Sequence, residues 1–219
     1  MPPKPSLTKA KRPPTSLTLL TLLTSLTFLT LLFSSCQRCG RVEEKKDASL
    51  LSLRDSGGVS IAVVADPWAK EKTLATYVLV PDTVPATVQL PEGTVVHTPL
   101  RRAVLTSSIH AALLLRLGVA DAIAGMTDTA YVVSSDIRRL LRSGKVTDVG
   151  SSVNPDAERI KQTRADALFL SPMENAGQNN LARLGIPLIQ CADYMEVSPL
   201  ARAEWMRFYG RLFGCADSA

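Results

Sequence analysis

The residues of this 219-residue chain that could do chemistry are few: two histidines, four cysteines, and carboxylates with no evident pattern. An enzyme needs a nucleophile with a base beside it, a cluster of metal ligands, or a glycine-rich phosphate loop. Cys36 and Cys39 form CQRC. No second CxxC or His pair completes a zinc site, and the pair lies outside any strand-helix-strand unit that would make it a redox motif. His97 falls in a strand-like segment and His110 in the first turn of an apolar helix, and neither has a sequence neighbour suited to be a catalytic partner. A metal site would require His97, His110, Asp128 and Glu174 to converge, which no ligand spacing indicates. Gly57-Gly58 matches neither GxGxxG nor a Walker loop. The expectation is a non-enzymatic protein without a cofactor, in which both histidines are structural. Cys191 and Cys215 are either a disulfide of an exported chain or two buried or idle thiols.

What remains is a binding surface, and the elements that would position it read out from residues 98–128. Residues 103–106 form a strand, Ser107 and Ser108 a small-polar turn, and an apolar helix follows and ends near Leu117-Gly118. A second strand, 122–126, closes on Thr127-Asp128. Ser107 or Ser108 can cap the helix start, and Gly118 stands where the helix end calls for positive φ. This βαβ unit predicts a parallel sheet with crossover helices. The alternation continues through a helix at 136–142, a strand at 146–149, a helix at 156–163, a strand at 167–170, a helix at 179–184 and a strand at 188–191. Upstream, 59–68, 76–80 and 94–100 are short and rich in branched residues, an N-terminal β addition of hairpin type. The last element, 199–214, carries Trp205, Phe208, Tyr209, Leu212 and Phe213 on one face, a stripe expected to be left partly exposed. The fold class is therefore α/β, a Rossmann-like parallel-sheet lobe with flanking helices. In such a sheet a ligand lies beyond the carboxyl ends of the strands. Those ends carry Ser107, Ser108, Thr127, Tyr131, Glu174, Asn175 and Tyr194, groups that can hydrogen-bond to a solute or stack on it without reacting.

Net charge is +5, and Lys4, Lys9, Lys11 and Arg12 account for most of the excess. The remaining body is close to neutral and poor in aromatics, so nucleic-acid binding is not inferred. Behind the basic start runs an uncharged Leu/Thr stretch, 16–35, with small residues before Cys36. It approaches the length of a membrane span, but its regular threonines and small-residue exit favour cleavage. Residues 32–36, LFSSC, resemble the lipobox of bacterial lipoproteins, with a phenylalanine at a usually aliphatic position. The resemblance implies acylation of Cys36 and tethering at a membrane surface; an uncleaved signal anchor is the alternative.

Three runs, RAVLTSSIHAALLLRLGVADAIAGMTD (102–128), KVTDVGSSVNPDAERIKQTRADALFLS (145–171) and LARLGIPLI (181–189), resemble the N-terminal lobe of the periplasmic-binding family that serves ABC importers of iron–siderophore complexes, haem and vitamin B12. The resemblance spans about 99–214, and PLARAEWMRF looks like the start of the helix that links two lobes in that family. The β addition and Trp-bearing helix are similar to Bacteroidetes-type versions. It implies a siderophore, haem or cobalamin ligand, ABC permease subunits as partners and a lipid-anchored periplasmic location. It also implies a role for Glu158 in the NPDAERI segment, matching an acidic residue that docks on the permease. The implied organisation is a signal peptide over 1–36, a tether over 37–57, β segments over 58–98, the α/β lobe over 99–198 and the start of the inter-lobe helix over 199–219. A second lobe is expected after that helix and is not in this sequence, so the expectation is a truncated product or a lone lobe. A lone lobe acting as a surface interaction protein, and a metal-dependent hydrolase, are the competing functions.

Overall fold

The computed structural model describes residues 47–173 and 179–219. The Leu/Thr leader, Cys36, Cys39, Glu174 and Asn175 lie outside the described residues. The first sheet comprises β1 (Leu51–Ser56), β2 (Val59–Ala65), β3 (Thr73–Pro81) and β4 (Thr94–Thr98), in that spatial order. β2 is antiparallel to both β1 and β3, whereas β4 runs parallel to β3.

β1 falls where a tether was expected, which corrects that expectation over these residues. The cause is the turn that follows. Ser56 pairs with Val59, so Gly57 (φ +59°) and Gly58 (φ +85°) form the whole connection. A two-residue hairpin turn with positive φ at both centres matches the twist of its strands and is readily made by Gly-Gly. It folds the serine-rich, charged LSLRDS segment back on β2 and buries Leu51 opposite Val64.

The second sheet is parallel throughout. It contains β5 (Ala103–Leu105), β6 (Ile123–Met126), β7 (Thr147–Asp148), β8 (Ala167–Leu170) and β9 (Leu188–Gln190), in the order β7-β6-β5-β8-β9. The helices are α1 (Ser108–Arg116), α2 (Ser135–Arg142), α3 (Ala157–Gln162), α4 (Asn179–Ala182) and α5 (Pro199–Leu212). Side chains alternate across β5: Ala103 and Leu105 join a core with Leu114 of α1 and Ile137 of α2, while Val104 faces Ile160 of α3. Both faces are covered, which explains why these strands read as uninterrupted apolar runs. Gly118 has φ +73°, the left-handed conformation foreseen at the end of α1.

The aromatic stripe of α5 is buried, which overturns the expectation that it would be partly exposed. Trp205, Phe208, Tyr209 and Leu212 are all fully enclosed. Tyr77 of β3 lies 6.0 Å from Phe208 by ring centroids, and on the parallel sheet Phe169 of β8 lies 6.2 Å from Tyr209 and 5.7 Å from Phe213. α5 is thus a layer shared by two sheets, and the N-terminal sheet supplies the cover. The Tyr77 hydroxyl extends this joint by donating to Leu188 O at 2.8 Å and accepting from Gln190 N at 2.7 Å, on edge strand β9. Two glutamates fasten residues 47–50 to the same layer. Glu204 accepts the Asp47 and Ala48 N–H groups at 2.9 and 2.7 Å, and Glu196 accepts those of Ser49 and Leu50 at 3.1 and 2.9 Å.

Candidate functional site

The spatial order of the parallel sheet reverses between β5 and β8, where a crevice opens beyond the strand ends of such folds. Thr106, the residue after β5, locks this point. Its N–H and its hydroxyl both donate to Phe169 O of β8, at 3.1 and 2.9 Å. Ser107 is extended (φ −139°, ψ 136°) and caps α1 by accepting the Ile109 N–H at 3.2 Å. No acidic residue sits in the first turn of α1.

On the neighbouring strand, Thr127 N–H donates to Leu105 O at 3.1 Å and carries the chain off β6 beside β5. Asp128 then takes the left-handed conformation (φ +51°), its N–H donating to Gly150 O at 2.8 Å and its Oδ2 accepting the Ser152 N–H at 3.0 Å. This ties the loop after β6 to the loop after β7. The Thr129 hydroxyl adds a second tie by donating to Asp148, and that bond, with the Gly150 N–H, holds the Asp148 carboxyl below its ordinary range. The short turn that follows leaves Tyr131 83% exposed.

Together these residues enclose a pocket of about 220 Å³ lined by Thr106, Ser107, Ser108, Thr127, Asp128 and Tyr131. Four of the seven cleft residues foreseen from the sequence, Ser107, Ser108, Thr127 and Tyr131, are brought together there. Tyr194 is elsewhere on the same end of the sheet, after β9, its hydroxyl donating to Pro172 O. Thr106 also lines the pocket and was not foreseen as a cleft residue. Thr106 reads from the sequence as the last residue of its strand, although the hydroxyl run Thr106-Ser107-Ser108 marks a strand end; Asp128 falls in the strand-end segment 127–131 expected to wall the cleft, and the pocket includes it.

Around this pocket the surface turns apolar. Ile109, Tyr131, Val153, Met173 and Tyr194 follow β5, β6, β7, β8 and β9 respectively, and all are exposed. At least one large exposed apolar side chain therefore follows each strand of the sheet, with Val133 and Val197 adding a second after β6 and β9.

The residues considered for chemistry do not converge. His97 is exposed on β4, in the other sheet, whereas His110 is 2% exposed among Phe169 and Tyr209. Its Nε2 lies 3.5 Å from Asp193 Oδ1, an ionic contact at the outer limit of hydrogen bonding. Burial opposes the imidazolium, but the facing Cys191 sulfur and Asp193 carboxylate raise the His110 pKa to about 10. Among the described residues no group of three or more His, Cys, Asp or Glu side chains could hold a metal ion. Cys191 and Cys215 are free thiols, the first buried. Glu158 stands in the first turn of α3, whose cap Asp156 accepts the Glu158 and Arg159 N–H groups at 3.0 Å. Its side chain is 78% exposed and only loosely paired with Lys161 at 3.5 Å.

No protein-family model matches the chain. Two uncharacterized lipoproteins of Methanocaldococcus jannaschii are similar in sequence. One is 30% identical over 128 residues, covering 54% of this chain and 31% of the relative; the other is 26% identical over 130 residues, covering 56% and 33%. The match therefore spans about a third of each curated relative's length. Among solved structures, the petrobactin-binding protein of Bacillus subtilis is similar with a TM-score of 0.47 and 19% identity over 56% of this chain and 41% of that one. A periplasmic heme-binding protein of Pseudomonas aeruginosa is similar with a TM-score of 0.42 and 20% identity, covering 54% and 40%.

Proposed function

We propose that this chain captures a solute, without catalysis, as a membrane-tethered binding subunit of an ABC importer, and that its ligand is an iron chelate (siderophore or haem) or cobalamin. The observation that carries this reading is the cleft at the carboxyl end of the parallel sheet: a hydroxyl-lined pocket beyond β5 and β6, with exposed apolar side chains following every strand of the sheet. A large solute with an apolar body and oxygen-rich groups fits both parts. The family resemblance of 102–128 and 145–171 supports the ligand class, and the lipoprotein names of the sequence relatives support Cys36 as the acylated residue and an envelope location.

The test is a titration of the purified full chain in detergent with a panel of ferric siderophores, haem and cobalamin, read by tyrosine and tryptophan fluorescence. Tyr131 and Tyr194, at the rim, make quenching the expected response to at least one member. Silence across the whole panel would refute the ligand class. The exposed carboxylate of Glu158 also suits a second reading, a surface interaction protein that docks on a permease without carrying a solute. That reading predicts docking together with the same silence.

A further inference from the structure

The 220 Å³ pocket has a donor and acceptor pattern more specific than a generic polar cleft. α1 is nine residues long and has no first-turn acid, and of its early N–H groups only that of Ile109 is taken by the Ser107 cap. The N–H groups of Ser108 and His110 have no acceptor within the helix, so the start of α1 presents donors and the positive end of its dipole. An independent observation points the same way. Thr127 lines the pocket and is 3% exposed, yet its hydroxyl oxygen has no hydrogen-bond partner among the described residues. Buried hydroxyls are normally satisfied, and a bound oxygen would satisfy this one.

A bare anion would meet an obstacle, because Asp128 lines the same pocket. Its Oδ2 is engaged by Ser152 N–H, which leaves Oδ1 to accept from something else. The site thus asks for an anionic oxygen on one side and a hydroxyl donor on the other, within a volume suited to a compact group. A neutral polyol would answer Asp128 but not the helix start.

We infer that this pocket is a subsite for an α-hydroxycarboxylate, whose carboxylate sits at the start of α1 against Ser108 and Thr127 and whose neighbouring hydroxyl donates to Asp128. The inference rests on the solute-binding reading and names one chemical group of the ligand. That group could come from a small free acid or hang from a larger molecule, since both present the same two atoms.

The experiment titrates the isotopically labelled full chain with racemic malate and with succinate, which has the same carboxylates and lacks the hydroxyl. Malate is expected to shift the amide resonances of Ser108, His110 and Thr127 saturably, with succinate at least about tenfold weaker. Thr127→Val, which keeps the shape and removes the hydroxyl, is expected to weaken malate about tenfold without lowering the melting temperature. Asp128→Asn, which keeps an acceptor for Ser152, should narrow the gap between malate and succinate. Malate amidated at its distal carboxyl distinguishes the two sources: unchanged binding assigns a pendant group, weakened binding a free diacid. Equal shifts with malate and succinate, no saturable shift with either, or full malate affinity in Thr127→Val would each overturn the inference. Binding of a hydroxamate chelate without any malate response would remove the subsite and leave the importer reading. Malate binding with silence across the chelate panel would do the reverse.

Discussion

Glu196 shows how one buried carboxylate can hold distant parts of a chain together. It is 1% exposed, and its oxygens accept from Ser49 N–H and hydroxyl, Leu50 N–H and the Trp205 indole, the last at 3.1 Å. Burial alone would raise its pKa, but the hydrogen bonds from Leu50, Trp205 and Ser49 outweigh it and lower the pKa below the ordinary 4.5. A carboxyl depressed in the folded state contributes stability that is present above its unfolded pKa and is lost as pH falls through the folded one. Glu196→Gln should therefore destabilise the protein at neutral pH by on the order of 2 kcal/mol, since charge-assisted bonds become neutral ones and the amide NH₂ opposes two donors. In thermal melts from pH 7 downward, the gap between wild type and variant should close as pH drops below about 4.5. Parallel curves would show that the charge contributes nothing. Nothing near Glu196 in sequence announces this role, because its donors at Ser49 and Leu50 are 147 and 146 residues away.

At the scale of elements, the joint between the two sheets rests on α5 and on Tyr77. The Tyr77 hydroxyl serves edge strand β9 as both acceptor and donor, and its burial pushes the phenol pKa up, so it stays protonated and able to donate. Tyr77→Phe preserves the ring contact with Phe208 and removes only those two bonds. The expected cost is about 1–3 kcal/mol, read from denaturant unfolding, with the tryptophan environment in the native baseline unchanged. A loss below the error of that measurement would show that water replaces the hydroxyl. The pattern of success in reading the sequence follows the range of the forces involved. β8 spans the same 167–170 expected of it, and α1 its capped start and glycine end, because period, cap and terminal glycine are all local signals. β1 was hidden because LSLRDS resembles a linker by composition, and only the Gly57-Gly58 turn revealed its partner. The burial of Trp205 and Phe208 could not be read at all, since their cover is assembled from β1 to β4, far away along the chain.

For the whole molecule, the useful feature is that the proposed solute cleft and the proposed docking carboxylate lie on different residues and are separable by mutation. The pocket is built from the ends of β5 and β6, whose position follows from the strand order, so most of it was legible once the βαβ units were recognised. Thr106 was less so, because its place depends on a hydrogen bond to Phe169 across the neighbouring strand. Glu158 belongs to neither group. It stands exposed at the start of α3 and does not line the pocket. Its exposed side chain has only the loose pair with Lys161, which leaves it open to an electrostatic docking contact. If the proposed permease contact is real, Glu158→Lys should slow association with purified permease by about tenfold or more and flatten the salt dependence of the on-rate. The same variant should keep the wild-type fluorescence response to solute and the wild-type melting temperature, since the 3.5 Å pair with Lys161 is solvent-screened. Surface plasmon resonance at several ionic strengths separates the possibilities. An unchanged on-rate would remove Glu158 from the docking face, whereas loss of the solute response in this variant would show that the two faces are not separable.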